Sequence, residues 1–283
     1  MSRLTINLIG AGKVGQTLCR LFADQGQHDV QDVFGRDLQR TEQAVGFIGA
    51  GRAVDSLAAL RSADIWLVTV PDTRIGEVVA ELAAVAPAGP AVAFHCSGFL
   101  PAAELSPVRA LGWQLASAHP VMSFADPATA IKHFPGCHCG LEGDAAAVET
   151  VASLLGGVGA RTFPIETQGK ALYHAAAVFS SNLAVVLQGL AREAWMAAGV
   201  PEIVARDLNV TLLKATVDNV EALGPEAALT GPAARGDWSV VSRQHQAVQT
   251  WHPLAGDAYD SLSLLARRLK RGGSTLVPVD EEG

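Results

Sequence analysis

Charge is scarce in this chain. Only 17% of its 283 residues are charged, and the balance is acidic, with a formal net charge of -7. Binding to nucleic acid or anionic lipid draws on clustered Lys and Arg, so neither a nucleic acid nor a membrane partner is expected. The one basic run, Arg267, Arg268, Lys270 and Arg271, leads into Gly272 and Gly273. It reads as a helix C-terminus, where cations complement the dipole and glycine ends the helix. Cysteine is equally sparse. Cys19, Cys96, Cys137 and Cys139 show no disulfide-framework spacing, and a chain of this length does not need one. No charged segment, apolar run and cleavage site precede the first strand pattern at Arg3, so the expected compartment is the cytoplasm. The most apolar stretch, residues 171–187, contains His174, Ser180, Ser181 and Asn182. Those polar groups predict a buried helix and not a membrane span. Aromatics are few, while Ala, Gly, Val and Leu dominate, which suits closely packed helices and buried parallel strands.

Short apolar runs alternate with helical patterns over the first part of the chain. Strands are expected at 3–9, 30–35, 64–70, 91–95, 114–118, 137–141 and 161–165, with helices at 14–24, 38–45, 75–85 and 145–155. That alternation predicts a parallel, doubly wound α/β sheet. After about residue 165 the pattern becomes helical, with helices expected at 168–198, 201–223, 239–250 and 253–271. The expected organisation is therefore a dinucleotide-binding Rossmann domain over residues 1–166 and an all-α domain over residues 167–283.

Gly10-Ala11-Gly12-Lys13-Val14-Gly15 follows the first strand and opens the first helix. In that context the first glycine permits a tight turn, the second lets backbone approach a pyrophosphate, and the third lets helix and strand pack closely. The second strand pattern ends Val33-Phe34-Gly35-Arg36, with Arg40 one helical turn on. An NAD site usually places a carboxylate there, whereas guanidiniums grip a 2′-phosphate, so NADP(H) is expected in preference to NAD. Asp37 either caps the next helix or takes the acidic role.

Ligands of open α/β sheets bind beyond the carboxyl ends of the strands. Three polar clusters fall there: Val70-Pro71-Asp72-Thr73, His95-Cys96-Ser97-Gly98 and His119-Pro120. Backbone at Val70 and Pro71, together with Ser97, is expected to line the cofactor. His95 and His119 are candidates to polarise a carbonyl or donate a proton, against the competing reading of histidines bonded to loop carbonyls. Lys170, His174 and Ser181 share a helical face with Asn182 beside it. Polar groups there are costly unless paired or functional, and Lys170 with His174 forms a candidate acid/base pair. Thr230 and Arg235 lie in a Gly- and Pro-rich loop able either to cover an anionic substrate or to join two helices rigidly. His133, Cys137, His138 and Cys139 do not make a metal site, because a strand turns His138 away from the two cysteines.

Taken together, Gly10-x-Gly12-x-x-Gly15, His95-x-Ser97-Gly98, His119-Pro120, Lys170-x-Leu172-Tyr173-His174 with Asn182, and Leu229-Thr230-Gly231-Pro232-x-x-Arg235-Gly236-Asp237 resemble a bacterial family. Its members join a Rossmann-like domain to a C-terminal domain of unknown function. More distantly the chain is similar to the superfamily of 6-phosphogluconate dehydrogenase, β-hydroxyacid dehydrogenases, ketopantoate reductase and pyrroline-5-carboxylate reductase. The resemblance implies NADP or NAD, a helical second domain like that of 6-phosphogluconate dehydrogenase, and homodimers formed through it. It implies that Lys170 matches the lysine of β-hydroxyacid dehydrogenases, while His174 stands where they carry asparagine. The expected function is an NADP(H)-dependent oxidoreductase moving a hydride to or from a small polar carbonyl, imine or hydroxy acid. Lys170 and His174 would handle the proton, His119 and His95 would orient or relay, and Asn182, Thr230 and Arg235 would hold the substrate. The alternative is a protein that senses NADP(H) without chemistry.

Overall fold

The structure is a computed structural model, and it describes residues 3–276. Eight strands form one sheet: β1 (Thr5–Ile9), β2 (Asp29–Phe34), β3 (Arg52–Val54), β4 (Ile65–Val68), β5 (Ala91–His95), β6 (Trp113–Pro120), β7 (His138–Gly143) and β8 (Arg161–Pro164). Their order is β3-β2-β1-β4-β5-β6-β7-β8. The first six run parallel, as the alternating pattern predicts. β7 pairs antiparallel with β6, and β8 parallel with β7, so the last two strands oppose the rest. Strand direction depends on which neighbour a strand meets, and no single-strand pattern encodes that.

Helices α1 (Lys13–Gln25), α2 (Leu38–Ile48), α3 (Ile75–Val85), α4 (Pro127–His133) and α5 (Ala145–Gly157) surround the sheet. Each residue of β4 is buried, as a strand covered on both faces requires. One face packs Leu18, Phe22, Val151 and Leu154 against the strands. The other packs Val79, Leu82, Leu105 and Val108 around Trp66 and Trp113. Those two rings stack with centroids 4.6 Å apart. β3 and α4 have no counterpart among the expected elements, being too short for periodicity to register.

The last strand ends at Pro164, and every regular element described after α5 and β8 is helical: α6 (Lys170–Ser180), α7 (Asn182–Ala197), α8 (Glu202–Ala228), α9 (Pro232–Arg235), α10 (Trp238–Trp251) and α11 (Pro253–Gly272), apart from a short 3-10 turn at Thr167–Gly169. The single helix expected over 168–198 is two helices. Ser181 has φ -124 and ψ -73, and the Ser180 and Ser181 hydroxyls donate to the carbonyls of Ala176 and Ala177 at 3.0 and 2.7 Å. Such back-bonding competes with the helical ladder. The chain divides into two compact units between Asn182 and Leu183, later than the change of element type. The reason is α6, whose Lys170 is buried against the sheet.

Residues 171–187 are not the buried helix that their apolar composition suggested. Leu172, Phe179, Val185 and Val186 are 78%, 68%, 72% and 55% exposed. By length and composition the stretch Thr167–Ala197 is also apolar enough to cross a membrane, with mean hydropathy 1.3. Within the second unit, the buried apolar side chains among the described residues are only Ala205, Val241 and Ala255. Local ties hold that unit's helices. Asn209 donates to the Gln188 carbonyl (2.6 Å), Lys270 to the Glu226 carbonyl (3.0 Å), and the Arg267 guanidinium lies 5.0 Å above the Trp238 ring.

Candidate active site

The glycine loop turns from β1 into α1 where the strand order reverses. Gly10 has φ +100, and a Cβ there would fall 2.7 Å from the Val70 nitrogen. Its own N–H donates to the Phe34 carbonyl at 2.8 Å. At Gly15 a Cβ would meet the Thr69 hydroxyl at 2.5 Å, so only glycine lets α1 approach the sheet this closely. Gly12 differs. The nearest atom to a Cβ built on it is 3.9 Å away, and no side chain caps the helix that starts there at Lys13 and Val14. The result is an open helix N-terminus with unpaired N–H groups, the arrangement that receives an anion.

Beside this loop lies a cleft of about 310 Å³, lined by Gly10, Ala11 and Gly12, the end of β2, and Val70 and Pro71 after β4, with Arg36, Arg40 and Arg74 on its border. Asp37, just past the end of β2, also lines this cleft, and its side chain caps α2. Its Oδ1 accepts from the Arg40 backbone N–H at 3.1 Å, which fills the capping role. Arg40 Nε stays 3.6 Å from Asp37 Oδ2.

Further along the same strand ends, a second cluster forms around Lys170. Its side chain is buried, with Nζ donating to Ser117 Oγ at 2.5 Å and to the Ser97 carbonyl at 3.2 Å, and lying 3.4 Å from Glu142 Oε1. Glu142 in turn accepts from the Ala102 N–H at 2.6 Å and the Thr167 hydroxyl at 3.0 Å. This buried ion pair ties together the ends of β5, β6, β7 and α6. Burial pulls the lysine pKa below its ordinary value, and the Glu142 charge opposes that shift. Ser97 Oγ donates to Asp72 Oδ2 at 2.7 Å and accepts from the Phe99 and Leu100 N–H groups. Asp72 therefore holds Ser97 and does not cap a helix through its side chain.

The two strand-end histidines have different surroundings. His95 is fully buried. Its Nδ1 accepts from the Ser97 N–H at 3.1 Å and its Nε2 lies 3.0 Å from the Pro101 carbonyl. Both nitrogens are committed to backbone, the arrangement of a structural histidine, and burial drives its pKa down to about 4. His119 Nδ1 lies 2.9 Å from the Tyr173 hydroxyl. Burial first, then the nearby His174 and Lys170, lower the His119 pKa to about 4, so this ring is neutral at neutral pH. Burial pushes Tyr173 up to about 12, so its hydroxyl keeps its proton. The His119 and His174 rings meet edge to face with centroids 5.5 Å apart. His174 Nδ1 is buried and has no hydrogen-bond partner. Both imidazoles press against Gly98, where a Cβ would lie 2.5 Å from His174 Nδ1 and 2.8 Å from His119 Cε1. That glycine is required by space and not by its backbone angles.

Thus Lys170, His174, His119 and Ser97 are brought together, while His95 lies beneath them. Asn182 stands at the break after α6, exposed, with its side-chain amide 2.9 Å from the Ser181 hydroxyl oxygen. Thr230 and Arg235 belong to the second unit, where Arg235 pairs with Asp237 at 3.0 Å. Glu142, Ser117, Tyr173, Gly98 and Arg74 were given no role from sequence. Glu142 left one signal, a carboxylate directly after the strand expected at 137–141. Among the described residues, no group of three or more His, Cys, Asp or Glu side chains is placed to hold a metal.

A β3-β2-β1-β4-β5-β6 parallel order with a glycine loop at its point of reversal defines a Rossmann-type dinucleotide-binding fold. Residues 1–120 match the Rossmann-like domain family, and residues 137–266 match the family described as a domain of unknown function, DUF2520. The two matched segments together span most of the chain. Among solved structures it is similar to protein TM1727 from Thermotoga maritima, with 28% identity, a TM-score of 0.73, and 95% of this chain and 99% of that one covered. It shares its fold with BF3122 from Bacteroides fragilis, provisionally named an NADP oxidoreductase, at 19% identity and a TM-score of 0.74 over 94% of this chain and 98% of that one. It also shares it with 1-pyrroline-5-carboxylate reductase from Streptococcus pyogenes, at 16% identity and a TM-score of 0.61 over 94% and 99%. Among curated proteins, none matches the chain.

Proposed function

We propose that this protein is an NADP(H)-dependent oxidoreductase acting on a small polar carbonyl, imine or hydroxy acid. One observation carries the reading: the carboxyl ends of the parallel strands β1 to β6 of one sheet bear both an open, uncapped helix N-terminus at Gly12 and, around His119, a pair of imidazoles with His174. The naming of BF3122 and of the pyrroline-5-carboxylate reductase supports the reaction class. The residues present fit a nicotinamide dinucleotide, because the space at Gly12 is what a pyrophosphate needs and Arg36 and Arg40 border the cleft, while the Asp37 carboxylate beside them is bonded as the α2 cap. When bound, that cofactor supplies or accepts a hydride.

The chain's own residues divide the remaining work. The first-turn N–H groups of α1, from Lys13 and Val14 onward, hold the pyrophosphate. Arg36, with Arg40 behind it, takes the 2′-phosphate and favours NADP(H) over NAD(H). Backbone at Val70 and Pro71, with Ser97, lines the nicotinamide end. Tyr173 donates its hydroxyl proton to His119 Nδ1, which places the His119 proton on Nε2. His119 then offers a hydrogen-bond donor to a substrate oxygen or nitrogen, and His174 exchanges the proton that accompanies hydride transfer. Lys170 is a positioning residue. Its ammonium is covered, and it acts by fixing Ser97 and Ser117 between the strands that carry His95 and His119. Asn182, Thr230 and Arg235 remain the candidates for holding the substrate.

The helical unit leaves so much apolar surface uncovered that we assign it to a homodimer interface, each copy covering the other's helices. Neither nucleic acid nor a membrane is a proposed partner, and the proposed compartment is the cytoplasm. Calorimetric titration of the wild-type protein and of Arg36→Ala with NADPH and NADH tests the cofactor reading. A preference for NADPH that disappears in the variant supports it, and equal affinities in the wild type would refute the NADP assignment. A thermal-shift screen of oxo and imino acids with NADPH present then looks for substrate. Cofactor binding without turnover of any of them would favour a sensor instead. Sedimentation with and without lipid vesicles separates a dimer from a membrane-bound form.

A further inference from the structure

We infer that Arg74 is the adenine-stacking wall of the cleft, securing the adenosine end of either nicotinamide dinucleotide without choosing between them. This rests on the dinucleotide reading above and assigns a task to a side chain that the glycine fingerprint does not include.

The three guanidiniums bordering the cleft are not equivalent. Arg36 is exposed and no acidic partner is found for it among the described residues, so its charge is uncompensated. Arg40 keeps only a loose contact, 3.6 Å from Asp37. Arg74 is engaged along one whole edge. Its Nε lies 3.0 Å from Glu77 Oε2 and its Nη2 donates to Glu77 Oε1 at 3.1 Å. This is the two-bond fork that carboxylates make with arginine. It has two consequences. A carboxylate sits beside the cation and opposes a phosphate dianion at the same place. The fork also holds the guanidinium plane in one orientation, leaving its flat face as the feature it offers to a ligand.

The neighbourhood suits a flat ring better than an anion. Pro71, Val78 and Phe34 line the same cleft, giving it apolar walls. The turn that carries Arg74 is closed by its own backbone, the Arg74 N–H donating to the Pro71 carbonyl at 2.8 Å. A guanidinium held planar beside apolar surface stacks on a π system. Arg36 and Arg74 thus divide the adenosine end of the ligand. Arg36 reads the phosphate that distinguishes the two dinucleotides, and Arg74 holds the base they share.

The test measures affinity and needs no substrate. NADPH and NADH are titrated into the wild type, Arg74→Ala, Arg74→Lys and Arg36→Ala, following the reduced nicotinamide fluorescence. Loss of the stacking face should weaken both dinucleotides by about tenfold in Arg74→Ala, with their affinity ratio unchanged. Arg74→Lys keeps the charge and loses the plane, so it should be as weak as the alanine variant. Arg36→Ala should change the ratio. The assignment is overturned if Arg74→Ala loses NADPH selectively, if lysine restores affinity, or if neither variant weakens binding. A wild-type protein that takes up neither NADPH nor NADH overturns the dinucleotide reading underneath, a result distinct from all of these.

Discussion

In the sheet unit Leu8, Leu18, Phe22, Leu67 and Phe94 have no exposed surface, whereas in the helical unit Leu183, Val185, Leu212 and Val217 each leave 40% or more of theirs open. Both regions are rich in aliphatic residues, so composition does not separate them. The difference is closure. A parallel sheet with helices on both faces brings two layers of cover to every strand. The second unit's helices bury few apolar side chains among themselves, and each aliphatic side chain left in water forgoes roughly 1.5–3 kcal/mol. The first unit completes its own core, and the second leaves much of its apolar surface open.

The largest expected effect breaks that contrast directly. Leu212→Asp combined with Val217→Asp places charge on the open helical surface. Sedimentation equilibrium should show self-association lost, while NADPH affinity of the sheet unit is retained. An unchanged dimer would remove these helices from the interface. Next comes the buried pair inside the sheet unit. Lys170→Met leaves Glu142 buried without its cation and should cost about 3–5 kcal/mol in urea denaturation. The double variant Lys170→Met/Glu142→Gln should recover part of that loss. A loss confined to activity, with stability intact, would turn Lys170 from a positioning residue back into a chemical one.

A pH titration sharpens the comparison further. His95 and His119 have folded pKa values near 4 against an ordinary 6.5. Between those limits the unfolded chain binds more protons than the folded one. Their contribution to stability is therefore complete above pH 6.5 and is lost progressively as pH falls toward 4. Melting temperatures across that window should drop for the wild type. The drop should be smaller for His119→Gln, and a flat profile would contradict burial of neutral rings. The smallest effect belongs to Asp37→Ala, which removes the cap of α2 and should cost about 1 kcal/mol without exchanging NADPH preference for NADH.

Much of the sheet was legible beforehand because period and punctuation are local. Helix α3 and strand β5 lie where the pattern put them, and the Gly10-x-Gly12-x-x-Gly15 spacing marked the turn that the structure leaves open. The cluster at the strand ends was legible only in part. Lys170, His119 and His174 stood out because polar side chains on apolar elements are costly. His95 looked the same from sequence, yet its two nitrogens are taken by the Pro101 carbonyl and the Ser97 N–H. Tyr173 and Gly98 sit inside recognisable motifs, but their roles depend on a ring 54 positions away in one case and on two imidazoles in the other. Arg74 was hidden in part: its ion pair with Glu77 is local, but the cleft it shares with Phe34 and Arg36 forms only in the folded chain.

By itself the sequence determined the alternating α/β start, the glycine turn, the arginines after β2 and the switch to helices. Each follows from residues within a few positions of one another, where backbone preference and periodicity act. Only the tertiary structure decided the reversal of β7, the burial of Lys170 on Glu142 and the exposure of the helical surface. Those depend on which distant groups come into contact, and contact is what sets the energy of a buried charge or an uncovered apolar side chain.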